Sequence, residues 1–350
     1  MFSFCAKPKA VSAQVNDTAI TVQPKETLLQ AALRQGIDFP HSCRVGGCAT
    51  CKCRLLEGKV RELTETGYIL SDAELDQGYI LACQSVPRTD VRIQVELSAA
   101  TARRRVRGRV LSREVLTHDI VRLRIQLDES LPYQAGQFAQ LSVDSLPGVA
   151  RSYSFATPMQ PDAQVSFFVR KVPEGLFSAH VHAHAVVGEG VTVDGPQGDF
   201  HLRPADAPLL LVAGGSGLAP VLALLAQALA DGVKRPVSLI FGARTQADLY
   251  ALDHLQALHR QWPEGFDFVP ILSQEPAASG WQGPRGLVTD LIPARLREGS
   301  HAYLCGPPAM VDVASALLRE RGVAPADIHA DRFTTLHEVP TATASTAAAA

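Results

Sequence analysis

The stretch His41-Ser-Cys-Arg-Val-Gly-Gly-Cys-Ala-Thr-Cys51 places three cysteines in one short loop, and a fourth, Cys83, follows thirty-two residues after the last of them. This C-x4-C-x2-C…C spacing is typical of the ligands of a [2Fe–2S] cluster. Each iron takes two thiolates, so a tight loop can supply three ligands while a distant part of the chain supplies the fourth. The sequence therefore predicts Cys43, Cys48, Cys51 and Cys83 as cluster ligands.

Two other uses of four cysteines stay open at this point. Zinc also takes four thiolates, but its usual frameworks pair two short C-x2-C knuckles, whereas Cys83 would stand alone. Disulfide bonds need an oxidising compartment, and nothing else in the chain indicates one. Gly46 and Gly47 favour the cluster, because a backbone bent around inorganic sulfide needs unusual φ angles and a close approach of amides.

Length and composition limit the number of domains and the classes of partner that the chain can have. The chain has 350 residues, of which 46% are hydrophobic, enough for roughly two or three packed domains. The formal net charge is only −2, so the whole molecule has no strong attraction for nucleic acid or a membrane surface. The first residues are too quickly polar for a signal peptide, and glycines interrupt the most apolar stretch, 208–230. We expect a cytoplasmic protein without membrane insertion or nucleic-acid binding.

Residues 11–97 indicate short strands around one helix. Positions 19–22 and 91–97 alternate between apolar and polar residues, and 27–35 has helical periodicity with Gly36 as its stop. The next stretch, 99–109, is polar and basic, with five arginines between positions 103 and 109. We interpret this stretch as a solvated linker, and a docking patch for an acidic partner is the alternative.

Two further segments differ from each other in their pattern of apolar residues and glycines. From about 108 to 204, residues 120–127 and 137–143 alternate, 164–172 reads as a further strand, and glycines punctuate the rest, which predicts an antiparallel β-barrel. After Pro208, a continuous apolar run precedes a glycine turn, a helix through Leu229 and a second strand at 237–241. This order predicts a parallel, doubly wound α/β sheet.

The turn Gly214-Gly-Ser-Gly217 would let the backbone approach a diphosphate closely, with the following helix directing amides at it. Alone, the turn is equally compatible with a plain strand-to-helix connection, because it lacks the full G-x-G-x-x-G pattern. An upstream cluster favours nucleotide binding, since a one-electron centre needs an electron source and dinucleotides are a common one.

Arg151-Ser-Tyr-Ser154 combines a cation for a phosphate, an aromatic face for a ring system and a hydroxyl for a ring nitrogen. Hydride donors release electrons in pairs, whereas a cluster accepts them singly, so the chain needs a converter between them. A flavin bound by this segment fits that need. An exposed strand with a buried tyrosine is the structural alternative for these four residues.

Five short motifs in a fixed order give the chain a family resemblance over nearly its whole length. They are the cysteine loop with Cys83, Arg151-Ser-Tyr-Ser154, Gly195-Pro-Gln-Gly-Asp-Phe200, Val212-Ala-Gly-Gly-Ser-Gly-Leu-Ala-Pro220 and Cys305-Gly-Pro-Pro-Ala-Met310. The chain resembles the ferredoxin–NAD(P)H reductase components of bacterial multicomponent oxygenases, of the benzoate dioxygenase reductase and methane monooxygenase reductase type.

The resemblance implies a multidomain fold with a different cofactor in each domain. An α+β, β-grasp plant-type [2Fe–2S] ferredoxin domain is expected over 1–100, and an antiparallel β-barrel that binds FAD over 101–205. An α/β domain with a doubly wound parallel sheet, which binds NAD(P), is expected over 206–338. Residues 339–350 are low in complexity, which predicts a disordered tail.

The resemblance also implies roles for single residues. Arg151 would bind the flavin phosphates, Tyr153 would stack on the isoalloxazine ring, and Ser154 would lie at its N5 edge. Cys305 would lie beside the nicotinamide ring, so that Tyr153, Ser154 and Cys305 are the catalytic candidates. The further cofactor-binding candidates are Gly175 and Ser178 in a second phosphate turn, Gly214, Gly215, Gly217 and Pro220 in the nucleotide turn, Gly306 beside Cys305, and Asp331 and Phe333 late in the chain.

Two positions bear on the choice of coenzyme. Relatives that prefer NADPH often place Ser-Arg near the adenosine phosphate, whereas this chain has Ser273-Gln-Glu275. A neutral glutamine and a carboxylate there would not attract a 2′-phosphate, so NADH is favoured. Arg244 keeps NADPH open as the alternative, because an arginine there could hold a phosphate.

The resemblance implies an enzyme that passes electrons from NADH through FAD to the [2Fe–2S] cluster, and on to an oxygenase or another terminal electron-acceptor protein. The expected protein is a monomer. An alternative with the same three modules is an NADH-dependent reductase for deoxysugar biosynthesis of the CDP-6-deoxyglucoseen type. A redox-sensing module with vestigial flavin and nucleotide sites is a further alternative, which the five intact motifs disfavour.

Overall fold

A computed structural model of the chain describes residues 10–37, 39–41, 46, 50–67, 69–70, 72–95, 103–183 and 186–333. Within them, three large sheets and one small two-stranded sheet follow one another along the chain. The segment expected to be a disordered tail, 339–350, lies outside these residues.

The first sheet belongs to an α+β unit, as the sequence predicts. Its elements are β1 (Val11–Val15), β2 (Thr18–Val22), α1 (Leu28–Arg34), β3 (Lys52–Glu57), β4 (Val60–Glu62), α2 (Asp72–Asp76), β5 (Tyr79–Leu81), β6 (Ser85–Pro87) and β7 (Val91–Gln94). The strand order is β2-β1-β7-β3-β5, with β1 and β7 parallel and the other neighbours antiparallel. Helix α1 starts at a capping box between Thr27 and Gln30 and packs its apolar face on the sheet.

The second sheet is antiparallel throughout and curls into a barrel. Its elements are β8 (Arg104–Val115), β9 (Ile120–Leu127), β10 (Phe138–Val143), β11 (Arg151–Ser154), β12 (Gln164–Arg170), α3 (Leu176–Ala183) and β13 (Gly190–Gln197). The strand order is β11-β10-β13-β8-β9-β12. A single antiparallel bridge between Phe155 and Phe167 brings the two edges together. The predicted antiparallel barrel is therefore confirmed.

The basic stretch interpreted as a linker runs into β8, so that interpretation is wrong for residues 104–109, while 99–102 lie outside the described residues. Val106 and Val110 are buried, and the arginines between them alternate to the outer face with a period of two. Arg103 and Arg105 both pair with Asp194, which lies opposite Arg105 on β13, and Arg107 pairs with Asp144. The many arginines masked the alternation of buried and exposed residues that marks a strand. Carboxylates of the same barrel neutralise their charge.

The third sheet is parallel and carries helices on both faces. Its elements are β14 (Leu209–Gly214), α4 (Leu218–Ala230), β15 (Val237–Ala243), α5 (Leu252–Gln261), β16 (Phe266–Leu272), α6 (Val288–Arg295), β17 (His301–Gly306), α7 (Pro308–Glu320) and β18 (Ile328–Arg332). The strand order is β16-β15-β14-β17-β18, with α4 and α5 on one face and α6 and α7 on the other. The order reverses between β14 and β17, the switch point at which such sheets bind ligands.

One hydrophobic core extends from the barrel into the parallel sheet. Ile120 and Phe168 of the barrel join the cluster formed by α4, α5 and the sheet, and the Phe168 ring meets the Tyr250 ring edge-on with centroids 5.5 Å apart. The core of the first sheet contains only residues 13–95. None of the helices in the described part of the chain is long and apolar enough to cross a bilayer.

Asp194→Asn is expected to destabilise the barrel by about 1–3 kcal/mol at neutral pH, because it removes the charge that pairs two arginines. Burial opposes ionisation of Asp194, but hydrogen bonds from Arg103 and Arg105 outweigh it and lower the pKa of Asp194. The stabilisation is therefore present above a pH of about 4 and is lost as the pH falls through the lowered pKa. Thermal unfolding of parent and variant at several pH values measures this difference.

Asp144→Asn is the matched control for Asp194→Asn. Asp144 pairs with Arg107 in the same barrel, but its side chain is 56% exposed, against 11% for Asp194. A surface pair contributes little to stability. Equal shifts in unfolding temperature for the two variants would contradict the assignment of Asp194 as a buried anchor of β8.

Candidate functional site

Two of the four predicted cluster ligands are described, and they lie side by side. Cys51 immediately precedes β3 and Cys83 follows β5, and these two strands are paired with Lys52 opposite Leu81. The Cys83 amide lies 3.4 Å from Cys51 Sγ, and the Gln84 side-chain amide lies 3.6 Å from Cys83 Sγ. Amide donors aimed at both sulfurs are the environment that a thiolate ligand needs. Cys43 and Cys48 lie outside the described residues.

The described glycine of the cysteine loop lies against the chain that carries the distant ligand. Gly46 has a φ of 82°, and a Cβ built on it would lie 2.9 Å from Cγ of Gln84. Only glycine fits this position without strain or a shift of its neighbour. The loop and Cys83 therefore come together in space, as a cluster held by both requires.

Cys53 is a near neighbour of the ligands with a different environment. It points into the core from β3 and is 1% exposed, and burial raises the pKa of its thiol, with a further contribution from Cys83. A thiol that stays protonated is a poor metal ligand. Cys53 is therefore a core residue and not a candidate ligand.

A cavity of about 470 Å³ lies at the carboxyl ends of the parallel strands. Gly214 and Gly215 at the end of β14, Arg244 after β15 and Ser273 after β16 are among the residues that line it. Met310 and Pro307 close it at the start of α7. This is the crevice at the switch point of the sheet, where the sequence places the nucleotide.

The glycine turn is packed tightly against β17. A Cβ built on Gly217 would lie 2.2 Å from the carbonyl oxygen of Cys305, so no other residue fits there. Helix α4 follows directly, with Pro220 buried in its first turn, where a proline costs no helical hydrogen bond. The Tyr250 hydroxyl donates a 2.9 Å hydrogen bond to the Gly215 carbonyl, which fixes the turn from the other side. The helix amino terminus thus has room for a diphosphate.

Strand β11 carries the predicted flavin motif along one edge of the barrel sheet. Arg151 forms no ion pair with any described residue, and its guanidinium bonds only the Ala150 carbonyl among them. Tyr153 lies on the same face and packs against the Phe177 ring with centroids 5.4 Å apart. Burial raises the pKa of Tyr153 while Arg151 opposes the shift, so the ring is neutral at physiological pH. An unpaired cation beside a fixed aromatic ring fits a phosphate-bearing ring cofactor.

Three polar groups converge where the barrel meets the parallel sheet. The Ser154 hydroxyl on β11 donates a hydrogen bond of 3.4 Å to the Asp331 carboxylate on β18. Asp331 lies directly opposite Cys305 of β17 in the parallel register. Cys305 is fully buried, and burial together with the Asp331 charge raises the pKa of its thiol, so that the thiol is neutral. Ser154, Asp331 and Cys305 therefore form one constellation drawn from two domains.

Hydrogen bonds of Ser178 stabilise the predicted second phosphate turn. The Ser178 hydroxyl is buried, accepts a hydrogen bond from the Val172 amide and donates one to the Gly175 carbonyl. This arrangement holds Gly175 and the start of α3 in place. Phe333 lies apart from this turn, where its amide donates a 2.9 Å hydrogen bond to the Gly306 carbonyl.

The sequence did not reveal what Arg244 contacts. Arg244 Nη2 lies 2.9 Å from Asp119 Oδ2 and 2.8 Å from Asp248 Oδ1, so two carboxylates share its charge. Asp119 comes from the barrel and is more than a hundred residues away in the chain, which no local pattern could indicate. Asp248 had a visible signal, since Thr245-Gln-Ala-Asp248 has the spacing of a capping box. Tyr250 is another residue that sequence reasoning missed.

Known families match all three domains in order. Residues 13–88 match the 2Fe-2S iron-sulfur cluster binding domain, 107–202 the oxidoreductase FAD-binding domain and 211–316 the oxidoreductase NAD-binding domain. The chain carries an iron–sulfur cluster domain joined to flavin and nicotinamide nucleotide domains, which is the class of iron–sulfur flavoprotein oxidoreductases. The residues described above fit these cofactors.

Full-length relatives narrow the class. The chain is 40% identical to the xylene/toluene monooxygenase electron transfer component of Pseudomonas putida, over 88% of this chain and 89% of that one. It is 37% identical to the ferredoxin–NAD(P)(+) reductase component of the naphthalene 1,2-dioxygenase/salicylate 5-hydroxylase systems of a Ralstonia species, over 90% and 95%. The crystal structure of an Amycolatopsis cytochrome P450 reductase superposes with a TM-score of 0.73 at 34% identity, over 93% and 99%.

The chain belongs to the family of reductase components of bacterial oxygenase systems. The resemblance inferred from the five motifs is therefore confirmed, as are the fold class and the cofactor classes. The comparisons give no better support to the alternative, a reductase for deoxysugar biosynthesis.

Cys83→Ser is expected to lower the iron bound per chain, because the hydroxyl is a much weaker ligand for iron than a thiolate. Cys53→Ala is the matched control, since it removes a buried thiol only two positions from Cys51 and should leave iron binding intact. Iron analysis and visible absorption of the purified variants measure the difference. Equal iron loss in both variants would mean that the substitutions act through the core and not through ligation.

Ser154→Ala is expected to slow flavin reduction by NADH roughly tenfold or more, with a smaller change in NADH affinity, because we predict that the hydroxyl acts beside the reacting atoms of the flavin. Stopped-flow absorbance at increasing NADH concentrations separates the limiting rate from the apparent dissociation constant. Ser142→Ala, on the neighbouring strand β10, is the control. A normal limiting rate in Ser154→Ala would count against a role for Ser154 beside the flavin.

Proposed function

We propose that the chain takes electron pairs from NADH and delivers electrons singly, through its [2Fe–2S] cluster, to the oxygenase of a multicomponent system. The observation that carries this proposal is the convergence of Ser154, Asp331 and Cys305 where the flavin domain meets the nicotinamide domain. FAD, when bound, accepts the electron pair of a hydride and releases electrons one at a time. The relatives named above are reductase components of oxygenases, which supports the same partner class here.

The residues would act mainly by positioning. Arg151 offers an unpaired guanidinium to the flavin phosphates, and Tyr153 offers its ring face to the isoalloxazine. The Ser154 hydroxyl would lie at the flavin edge, where its oxygen would accept a hydrogen bond, because its single proton is donated to Asp331, which orients it from behind. Two rings held in contact by opposite domains need no acid–base residue for hydride transfer, since orientation supplies most of the rate enhancement.

The nucleotide would lie across the carboxyl ends of the strands. Gly214 and Gly215 line the cavity and would let the diphosphate approach the start of α4, while Gly217 lets the turn pack against Cys305. Gly306, which packs closely against Gly214 and Met310, would lie beside the nicotinamide. NADH is favoured over NADPH because Gln274 stands where NADPH-preferring relatives carry an arginine, and Glu275 binds the Gln246 amide. A carboxylate in this position repels a 2′-phosphate.

The remaining expectations are proposals of the same kind. We propose domain boundaries at 1–100, 101–205 and 206–338, which contain the three matched ranges 13–88, 107–202 and 211–316. We further propose a monomer in the cytoplasm, where NADH is available and where thiolate ligands stay reduced. The full set of cluster ligands is Cys43, Cys48, Cys51 and Cys83.

The serial order of electron transfer is tested by splitting the two half-reactions. In Cys83→Ser, the NADH-driven reduction of cytochrome c, a one-electron protein acceptor, is expected to be nearly lost. The NADH-driven reduction of a two-electron dye such as dichlorophenolindophenol should persist, because it draws on the flavin alone. Cys53→Ala should retain both activities. Parallel loss of both activities in Cys83→Ser, with FAD still bound, would contradict the serial order.

A further inference from the structure

Four charged side chains form a chain of ion pairs along one wall of the nucleotide cavity. Arg170 Nε lies 3.3 Å from Asp119 Oδ2, which lies 2.9 Å from Arg244 Nη2, which in turn lies 2.8 Å from Asp248 Oδ1. All four residues line the cavity. Two arginines and two aspartates cancel, so this wall presents no net positive charge even though it contains two guanidinium groups.

The two carboxylates are fixed independently of Arg244. Asp248 Oδ2 accepts hydrogen bonds of 2.9 Å from both the amide and the hydroxyl of Thr245, and the side chain is 11% exposed. Asp119 accepts a 3.0 Å hydrogen bond from the Thr117 hydroxyl and is 14% exposed. Arg244 is more exposed than either carboxylate, at 41%. The carboxylates are therefore built into the wall, and the arginine is held by them.

Arg244 lies where this fold would place the adenosine ribose, the part of the coenzyme in which NADH and NADPH differ. It directly follows β15, whose parallel neighbour β14 ends in the glycine turn, and the Arg244 carbonyl accepts a 2.8 Å hydrogen bond from the Gln274 amide after β16. In doubly wound sheets, a diphosphate on the first turn directs the adenosine ribose toward the end of the neighbouring strand. An arginine near that point accommodates a 2′-phosphate, whereas an acidic residue suits a free 2′-hydroxyl.

We propose that Asp119 and Asp248 determine coenzyme choice by holding Arg244 in internal ion pairs, so that the arginine is not available to a 2′-phosphate. The inference rests on the proposed function, in that it takes the cavity to bind a nicotinamide nucleotide. A 2′-phosphate would meet two fixed carboxylates as well as Arg244, whereas the neutral 2′-hydroxyl of NADH meets no such repulsion. The hydrogen bond that Arg244 donates to Asp119 places this selectivity at the junction of barrel and sheet.

The test uses the double variant Asp119→Asn/Asp248→Asn in the FAD-loaded, full-length protein. The probes are adenosine 5′-monophosphate and adenosine 2′,5′-bisphosphate, which differ only in the 2′-phosphate. Titration calorimetry gives the ratio of their two dissociation constants. Freed from its partners, Arg244 should shift this ratio in favour of the bisphosphate by roughly tenfold, which is about 1.4 kcal/mol. The ratio cancels any general effect of the substitutions on the cavity.

Two controls separate the action of Arg244 from loss of negative charge. Adding Arg244→Gln to the double variant should abolish the gain, whereas a gain caused only by lost repulsion would persist and would overturn the proposal. Asp253→Asn removes an exposed carboxylate on α5 that does not line the cavity, and it should leave the ratio unchanged.

The single variant Asp248→Asn keeps the proposal testable if the double variant fails to fold. Its side-chain oxygen can still accept from the Thr245 amide, and a smaller shift toward the bisphosphate is expected. An unchanged ratio in folded Asp248→Asn and in the folded double variant would overturn the proposal but leave the proposed function standing. A parent protein that binds neither probe would overturn both, because the cavity would then not be a nucleotide site.

Discussion

The shared core between the barrel and the parallel sheet is the constraint on which the proposed site depends. Ile120 and Phe168 of the barrel are buried among side chains of α4 and of the sheet, and Tyr250 joins them through ring contacts with Phe168 and Phe241. Burying one such aromatic side chain contributes about 1.5–3 kcal/mol. A continuous core fixes the two domains relative to each other at the precision that hydride transfer between two bound rings demands.

Polar contacts between the barrel and the parallel sheet further define how the two domains are oriented. The bond between Ser154 and Asp331, and the ion pair between Asp119 and Arg244, both cross from the barrel to the parallel sheet on the cavity side. On another side of the same junction, the Tyr303 hydroxyl accepts a hydrogen bond from the Arg203 amide. Non-directional burial holds the domains together, while these directional contacts define a single arrangement of them. The residues that would face the two rings are therefore set by the same contacts that join the domains.

The cluster domain is built on a different principle. Its core contains only its own residues, and the described contact between His41 and Arg103, at 3.4 Å, is polar. Cys51 and Cys83 are set by the pairing of β3 with β5 inside the domain. The placement of Cys51 and Cys83 therefore rests on strand pairing within this domain, in contrast to Ser154 and Asp331, whose contact exists only because two domains meet.

Much of the fold could be predicted from the sequence, because the apolar periodicity of a strand or a helix is visible within a few consecutive residues. The strands at 120–127 and 237–241 and the helix after Gly217 were predicted from alternation and from the apolar period. Strand β8 was misread because arginines on its outer face looked like a charged linker, and their partner Asp194 lies some ninety residues away. The motifs of the candidate site are visible one by one in the sequence, but the contacts between their residues are not, since Asp119 meets Arg244 only through the packing of two domains.

The side chain and the backbone of Cys305 make different contributions to this junction. Its thiol is fully buried, and burial together with the Asp331 charge raises its pKa, which disfavours the thiolate that a nucleophile requires. Its carbonyl oxygen, however, lies so close to Gly217 that the glycine turn and β17 cannot move separately. Its register partner Asp331 binds Ser154 on the barrel. Position 305 thus connects the glycine turn, through its backbone, with Ser154 of the barrel, through the neighbouring Asp331.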